Sequence, residues 1–235
     1  MYEDMSSQYV YFMEGDGLPL MFITHRTEKY TEKEQVKMAL EGGCDWIQIR
    51  MKENLTLNAA RELVDLIRVT NFSCHICIDD DLEIAIKSGA FCVHLGKKDM
   101  PVNEAWKIIY KRHYDDLFIV GATANTFEDI VEADKQGASY VGLGPYRYTE
   151  TKKNLSPILG LEGYERIMEQ CREAGIKIPV FAIGGIRYED IAPLMSTGIT
   201  GIAVSSAITQ APDPVSEMKR FCSKIKKYMK RIEID

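Results

Sequence analysis

The sequence predicts a single-domain (β/α)8 barrel, an α/β fold of the TIM-barrel type. Three observations predict it. Short runs rich in Val, Ile and aromatic residues alternate with segments of helical period, several helical segments end in glycine, and polar side chains gather just after the strand-like runs. A length of 235 residues suits one such barrel, typically about 250 residues. A doubly wound open sheet is the competing architecture, because alternation alone does not demonstrate closure.

In chain order the strand-like runs are LPLMFIT (18–24), DWIQIR (45–50), SCHICI (73–78), FCVHLG (91–96), LFIVGA (117–122), SYVGLG (139–144), IPVFAIGG (178–185) and TGIAVS (200–205). Between them EKEQVKMALEGG, LTLNAARELVDLIRVT, DLEIAIKSGA, VNEAWKIIYKRH, TFEDIVEADKQGA, LEGYERIMEQCREAG and EDIAPLMSTG read as helices, and DPVSEMKRFCSKIKKYMKRI closes the chain. Gly42, Gly89, Gly137, Gly175 and Gly198 stand where a helix C-cap belongs. In the last helix Val215, Met218, Phe221, Ile225 and Tyr228 form an apolar stripe, so its lysines and arginines read as a solvated face on a helix packed against the barrel.

A hydrophobic content of 46% supports a substantial core. With 29 basic and 35 acidic residues the net charge is −6, which excludes broad attraction to nucleic acid or an anionic membrane, so an anionic ligand must be held by a local cluster. No apolar run approaches the ~18 to 20 residues that span a bilayer, and MYEDMSSQYVYFMEGDG has neither a basic nor an apolar leader region, so the chain reads as cytoplasmic. Six scattered cysteines fit a reducing compartment. Cys74 and Cys77 make a CxxC inside a strand-like run, where they point to opposite faces. They read as buried structural thiols and not as a metal or redox pair.

A barrel carries its site at the C-terminal ends of its strands. There the sequence places Gln48, Arg50 and Lys52 at alternate positions, so that one strand aims an amide and two cations to the same side. The third run ends in Asp79-Asp80-Asp81. Asp81 reads as an N-cap, while Asp80 and Asp99 read either as further caps or as carboxylates converging on Mg²⁺. Gly184-Gly185 and Ser205-Ser206, with a short helix starting near Ser206, read as a phosphate cup or as a simple turn and cap. Thr149, Thr151 and Lys152 lie in a long connection over roughly residues 145 to 160, where such length is often functional. His25, at the end of the first run, is the one histidine placed to act as acid or base; otherwise it is structural, as His75, His94 and His113 read.

Four motifs in order resemble the thiamine phosphate synthase family from Leu18 to about Phe221: Gln48-x-Arg50-x-Lys52, Asp79-Asp80, His94-Leu-Gly-Lys-Lys-Asp99 and Gly144-Pro-Tyr-Arg-Tyr-Thr-Glu-Thr-Lys152. The resemblance implies a Mg²⁺-dependent barrel enzyme. It would join hydroxymethylpyrimidine diphosphate to thiazole phosphate, releasing pyrophosphate and forming thiamine phosphate. By matched position Asp80 and Asp99 would bind the metal, and Gln48, Arg50, Lys52, Asp79, Thr123 and Lys152 the pyrimidine diphosphate. Thr149, Thr151, Gly185, Ser205 and Ser206 would bind the thiazole phosphate, with Arg50, Lys52 and Lys152 neutralising the departing charge. The implied partners are these small phosphorylated molecules, with no nucleic acid and no membrane, and barrels of this type often associate as homo-oligomers.

The chain departs from the family pattern at Asp79 (Asn in the family), Lys97 (Gln), Thr123 (Ser) and Asn125 (His). An aspartate at position 79 adds negative charge beside a diphosphate unless Lys97 offsets it or Asp79 is a third metal ligand. Residues 1–17 exceed what the family needs and read as an N-terminal extension, leaving 18–235 as the barrel. The competing functions are a thiazole tautomerase-like isomerase of similar fold and a non-catalytic binder of phosphorylated thiamine precursors. The isomerase has no need for the cations, carboxylates and T-x-T-K together.

Overall fold

The computed structural model describes residues 17–116, 118–148 and 157–232. The expected N-terminal extension, apart from Gly17, lies outside the described residues. Strands β1 Leu20–Ile23, β2 Trp46–Ile49, β3 His75–Asp79, β4 Cys92–Leu95, β5 Ile119–Ala124, β6 Tyr140–Leu143, β7 Val180–Ile183 and β8 Gly201–Val204 form a closed parallel barrel in sequence order. Leu20, Met21 and Phe22 of β1 pair with Ile202, Ala203 and Val204 of β8, which settles closure against the open-sheet alternative.

The helices are α1 Glu32–Glu41, α2 Leu57–Thr70, α3 Leu82–Ser88, α4 Val102–Lys111, α5 Phe127–Lys135, α6 Gly160–Glu173, α7 Ile191–Ser196, the short α8 Ser206–Thr209 and α9 Pro214–Ile232. Their starts are written locally. Thr31 and Thr126 form capping boxes with Glu34 and Asp129, and the Asp81 carboxylate accepts from the Ile84 N–H at 2.9 Å, the cap expected of it. Gly89, Gly137, Gly175 and Gly198 take left-handed φ of 78°, 84°, 68° and 94°. After α1 that conformation falls on Gly43 (φ 85°) and not on Gly42, whose φ of −74° continues the helix.

Every strand is buried on both faces, so the strands read as near-continuous apolar runs and parity must be taken from the core contacts. Leu20, Phe22, Ile47, Ile49, Ile76 and Ile78 pack outward under the helices. Met21, Ile23, Trp46, Cys77, Cys92, Tyr140, Phe181 and Ala203 fill the barrel interior. The CxxC divides as expected: Cys74 joins the outer core and Cys77 the interior. Burial pushes the Cys74 thiol up to about 12 and Cys77 well above the thiol range, which disfavours the thiolate that redox or metal chemistry requires. On α9, Met218, Phe221 and Ile225 are buried, as the stripe predicts.

The interior is plugged by an aromatic layer. Trp46 packs edge-on against Tyr140 and Phe181 at centroid distances of 5.3 and 5.0 Å. The space comes from a missing side chain on β5, where a Cβ on Gly121 would lie 2.2 Å from the Tyr140 ring. Gly121→Ala is expected to cost about 2 kcal/mol by overpacking this layer, measured as a loss in urea denaturation.

Candidate active site

Above the aromatic plug opens a cavity of about 470 Å³ at the C-terminal ends of the strands. It brings together Gln48, Arg50, Lys52, Asp79, Asp80, Asp99, Thr123, Gly185, Ser205 and Ser206. Thr149, Thr151 and Lys152, expected to share the site, lie outside the described residues. Parity explains the convergence. Gln48 and Arg50 continue the inward register begun by Trp46, Asp79 that of Cys77, Thr123 that of Gly121, and Ser205 that of Ala203.

The three consecutive aspartates have three different surroundings. Asp79 is buried among donors: Gln48 Nε2 donates to its Oδ1 at 2.7 Å, while Arg50 Nε and Lys52 Nζ stand 3.4 and 3.2 Å from its Oδ2. Burial, with the Asp80 charge adding to it, pushes the Asp79 carboxyl up to about 6 against the pull of Lys52 and Arg50. Asp80 sits at the rim with φ of 70°, a left-handed conformation that Asp tolerates better than most residues, and pairs with Lys52. Burial works against the Lys52 ammonium, but the Asp79 and Asp80 carboxylates outweigh it and raise its pKa.

Arg50 is held from a second side, its Nη1 lying 3.0 Å from His25 Nδ1. A guanidinium cannot accept, so Nδ1 is the acceptor and the ring is neutral. Burial first and the Arg50 charge second lower the His25 pKa, in keeping with that tautomer. Thr123 Oγ1 lies 3.0 Å from His94 Nε2, and His94 Nδ1 lies 3.1 Å from the Tyr140 hydroxyl, so the plug reaches the cavity wall through His94.

Asp80 and Asp99 are the donors for a cation. Among the described residues no cluster of three or more His, Cys, Asp and Glu side chains could hold a metal ion. A site here would thus use two hard carboxylates and leave the remaining positions to water and ligand oxygens, the habit of Mg²⁺. Burial raises the Asp99 carboxyl pKa against the Gly96 N–H, which donates to Oδ2 at 2.7 Å, and the Asp80 charge raises it further. A divalent cation would relieve that mutual repulsion, so these residues fit the ion.

On the opposite rim Gly184 and Gly185 have φ of 95° and 69°, and a Cβ on Gly185 would lie 2.9 Å from Arg147 Cβ. Arg147 bridges this turn. Its Nη1 donates to the Gly185 carbonyl at 2.6 Å, and its two Nη atoms lie 2.8 and 3.0 Å from the Asp190 carboxylate. Ser205 Oγ is buried and has no hydrogen-bond partner among the described residues, and α8 begins at the next residue. An oriented hydroxyl beside a glycine turn suits an anionic ligand.

With this geometry in place, the family model for thiamine monophosphate synthase matches residues 20–208. The chain belongs to the thiamine monophosphate synthase family. A thiamine-phosphate synthase of Bacteroides fragilis is 53% identical over 204 residues, 86% of this chain and 98% of that protein. Another, of Flavobacterium johnsoniae, is 43% identical over 83% of this chain and 90% of that protein. The solved thiamine phosphate pyrophosphorylase of Pyrococcus furiosus superposes with a TM-score of 0.74 at 34% identity, covering 89% of this chain and 96% of that one. A 3-hexulose-6-phosphate synthase, TM-score 0.61 at 17% identity, shares the fold alone.

Two expectations drawn from departures within this family need correction. Lys97 does not offset Asp79, because its Nζ lies 2.5 Å from Asp129 Oδ2 at the start of α5. Nor is Asp79 arranged as a third metal ligand: its oxygens face Gln48, Arg50 and Lys52. Asn125 turns away to donate to the Gly144 carbonyl at 2.5 Å. Sequence reasoning singled out neither Lys98, which lines the cavity, nor Arg147, which braces the Gly185 turn. Both stand at unspecified positions of the family signature and thus carry no motif signal.

The Arg147–Asp190 brace makes a stability prediction. Burial raises the Asp190 carboxyl, but hydrogen bonds from Arg147 and from the Arg187 N–H outweigh it and hold the pKa below the usual carboxylate range. A depressed carboxylate contributes stability above its unfolded pKa and loses it as pH falls through the folded value. Asp190→Asn is expected to cost about 2 kcal/mol at pH 7. It should also flatten the loss of stability below about pH 4, read by urea denaturation across pH.

Proposed function

We propose that the chain is a thiamine-phosphate synthase. It would join 4-amino-2-methyl-5-hydroxymethylpyrimidine diphosphate to 4-methyl-5-(2-hydroxyethyl)thiazole phosphate, yielding thiamine phosphate and pyrophosphate. The observation that carries this reading is the meeting of Arg50, Lys52, Asp80 and Asp99 at one rim, opposite Gly185 and Ser205 in the same cavity. One side suits a diphosphate with a cation and the other a monophosphate, which is the charge inventory of this substrate pair.

The bond that breaks joins the pyrimidine methylene carbon to a diphosphate oxygen, which leaves with the electron pair. The bond that forms joins that carbon to the thiazole nitrogen. In a dissociative displacement the catalytic task is to neutralise the leaving charge and to hold the nitrogen in line. Arg50 and Lys52 meet the diphosphate, with Lys152 joining them, and Gln48 and Thr123 orient the pyrimidine. Gly185, Ser205, Ser206, Thr149 and Thr151 hold the thiazole phosphate. Mg²⁺ held by Asp80 and Asp99 supplies further positive charge to the leaving group when bound. Neither bond change requires a proton transfer, in keeping with a neutral His25 whose Nδ1 is engaged by Arg50. We place the protein in the cytoplasm: all six cysteines are free and buried, and among the described residues no helix is long and apolar enough to cross a membrane.

Mixing both substrates with Mg²⁺ is expected to release pyrophosphate and thiamine phosphate in equal amounts; a folded protein that yields neither refutes the proposal. Arg50→Ala should lower kcat/KM about 100-fold, close to 3 kcal/mol, because a buried diphosphate loses a charged partner. Asp99→Asn should shift the Mg²⁺ dependence of turnover to higher concentration while leaving the KM for thiazole phosphate within about twofold.

A further inference from the structure

Asp79 presents acceptors where a diphosphate would also present acceptors. A carboxylate and a diphosphate compete for the same donors and cannot hydrogen-bond each other when both are ionised. Gln48 Nε2, Arg50 Nε and Lys52 Nζ face Asp79 at 2.7, 3.4 and 3.2 Å, and Lys52 Nζ also pairs with Asp80. Because Asp79 is buried and Arg50 mostly buried, solvent and salt screen that pair little, while the half-exposed Lys52 is screened more. Lys97, whose charge could offset that carboxylate, is drawn off to Asp129.

We propose that Asp79 is a built-in counter-anion that occupies Arg50 and Lys52 and limits how tightly the diphosphate group, and afterwards pyrophosphate, is held. The inference rests on reading the cavity as a diphosphate site. It assigns Asp79 a role other than ligand contact. Arg50 and Lys52 stay aligned before substrate arrives, because the carboxylate holds them where the ligand oxygens must go. The same carboxylate opposes retention of the product. Binding the diphosphate equally well before and after the bond breaks adds nothing to the rate of the chemical step, and slow product release commonly limits turnover. An amide of the same shape at this position keeps the acceptor for Gln48 but removes the charge that competes.

The test is calorimetric titration of the full chain with pyrophosphate in the presence of Mg²⁺ at pH 8. Asp79→Asn is expected to bind pyrophosphate about tenfold more tightly than the wild type. In a Lys52→Met background the same change should gain less than about threefold, because one of the cations in contention is gone. Unchanged or weaker binding by Asp79→Asn overturns the proposal. An equal gain in both backgrounds overturns it too, since Asp79 would then repel the ligand without occupying Lys52. Should the asparagine variant fail to fold, Asp79→Ala carries the same expectations. The measurement needs no turnover, so it separates the two readings. A wild type that binds pyrophosphate but makes no thiamine phosphate sinks the synthase reading alone. Normal turnover with unaltered binding in Asp79→Asn sinks the counter-anion alone.

Discussion

A closed parallel sheet leaves each strand residue one choice, inward or outward, and the site is a consequence of that alternation. On β2 the inward positions are Trp46, Gln48 and, just past the strand, Arg50; on β3 they include Cys77 and Asp79. On these two strands the lower positions Trp46 and Cys77 belong to the plug, while Gln48, Arg50 and Asp79 above them line the cavity. No change of strand conformation separates the two regions. A register slip of one residue would exchange Arg50 for an aliphatic side chain and drive the guanidinium under the helices. Gln48 and Asp79 are therefore held by the sheet itself, which is what positioning catalysis requires.

Rigid placement of like charges has its own cost, and the second layer of contacts offsets it. Arg50 lies between Asp79 and the unprotonated nitrogen of His25. His25 in turn is fixed through its backbone: its N–H donates to Gln35 Oε1 at 2.8 Å and its carbonyl accepts from Gln35 Nε2 at 2.6 Å. Gln35 is buried on α1, so the helix that covers the first two strands also sets the angle of the guanidinium. Removing any member of this chain would leave a buried polar group unpaired, which is more costly than the modest net gain of each hydrogen bond. Preorganised cations of this kind need no rearrangement when charge develops on a leaving group.

The barrel was legible because eight apolar runs and the helical segments between them carry different periods, and the Gln48-x-Arg50-x-Lys52 spacing was legible because period two continues past the strand end. What sequence could not supply were partners chosen by register. The pairing of Lys97 with Asp129 spans 32 positions and depends on how the β4 and β5 loops approach each other. The His94–Tyr140 contact depends on the packing of the plug across the barrel. At β5 the run LFIVGA suggested a strand ending at residue 122, but pairing of Thr123 with Gly142 and Ala124 with Leu143 extends it through Ala124. A site threonine thus belongs to the sheet and not to a loop. At Asp79-Asp80-Asp81 the composition announced a carboxylate cluster, while only the backbone, turning left-handed at Asp80, separates an interior acceptor, a rim ligand and a helix cap.

The histidines argue for the same chemistry from the opposite direction. An enzyme that moves protons needs a titratable group free to gain and lose one near the reacting atoms. Burial and then the Arg50 guanidinium engaging Nδ1 lower the basicity of His25, and His94 is fixed between the Tyr140 and Thr123 hydroxyls. His75 begins β3 at the far end of the barrel. The groups that do crowd the mouth are paired ions: Asp79 accepts from Gln48 and faces Arg50 and Lys52, and Asp80 pairs with Lys52. A cavity so furnished is equipped to stabilise separating charge, which is what heterolysis of a carbon–oxygen bond to diphosphate asks for.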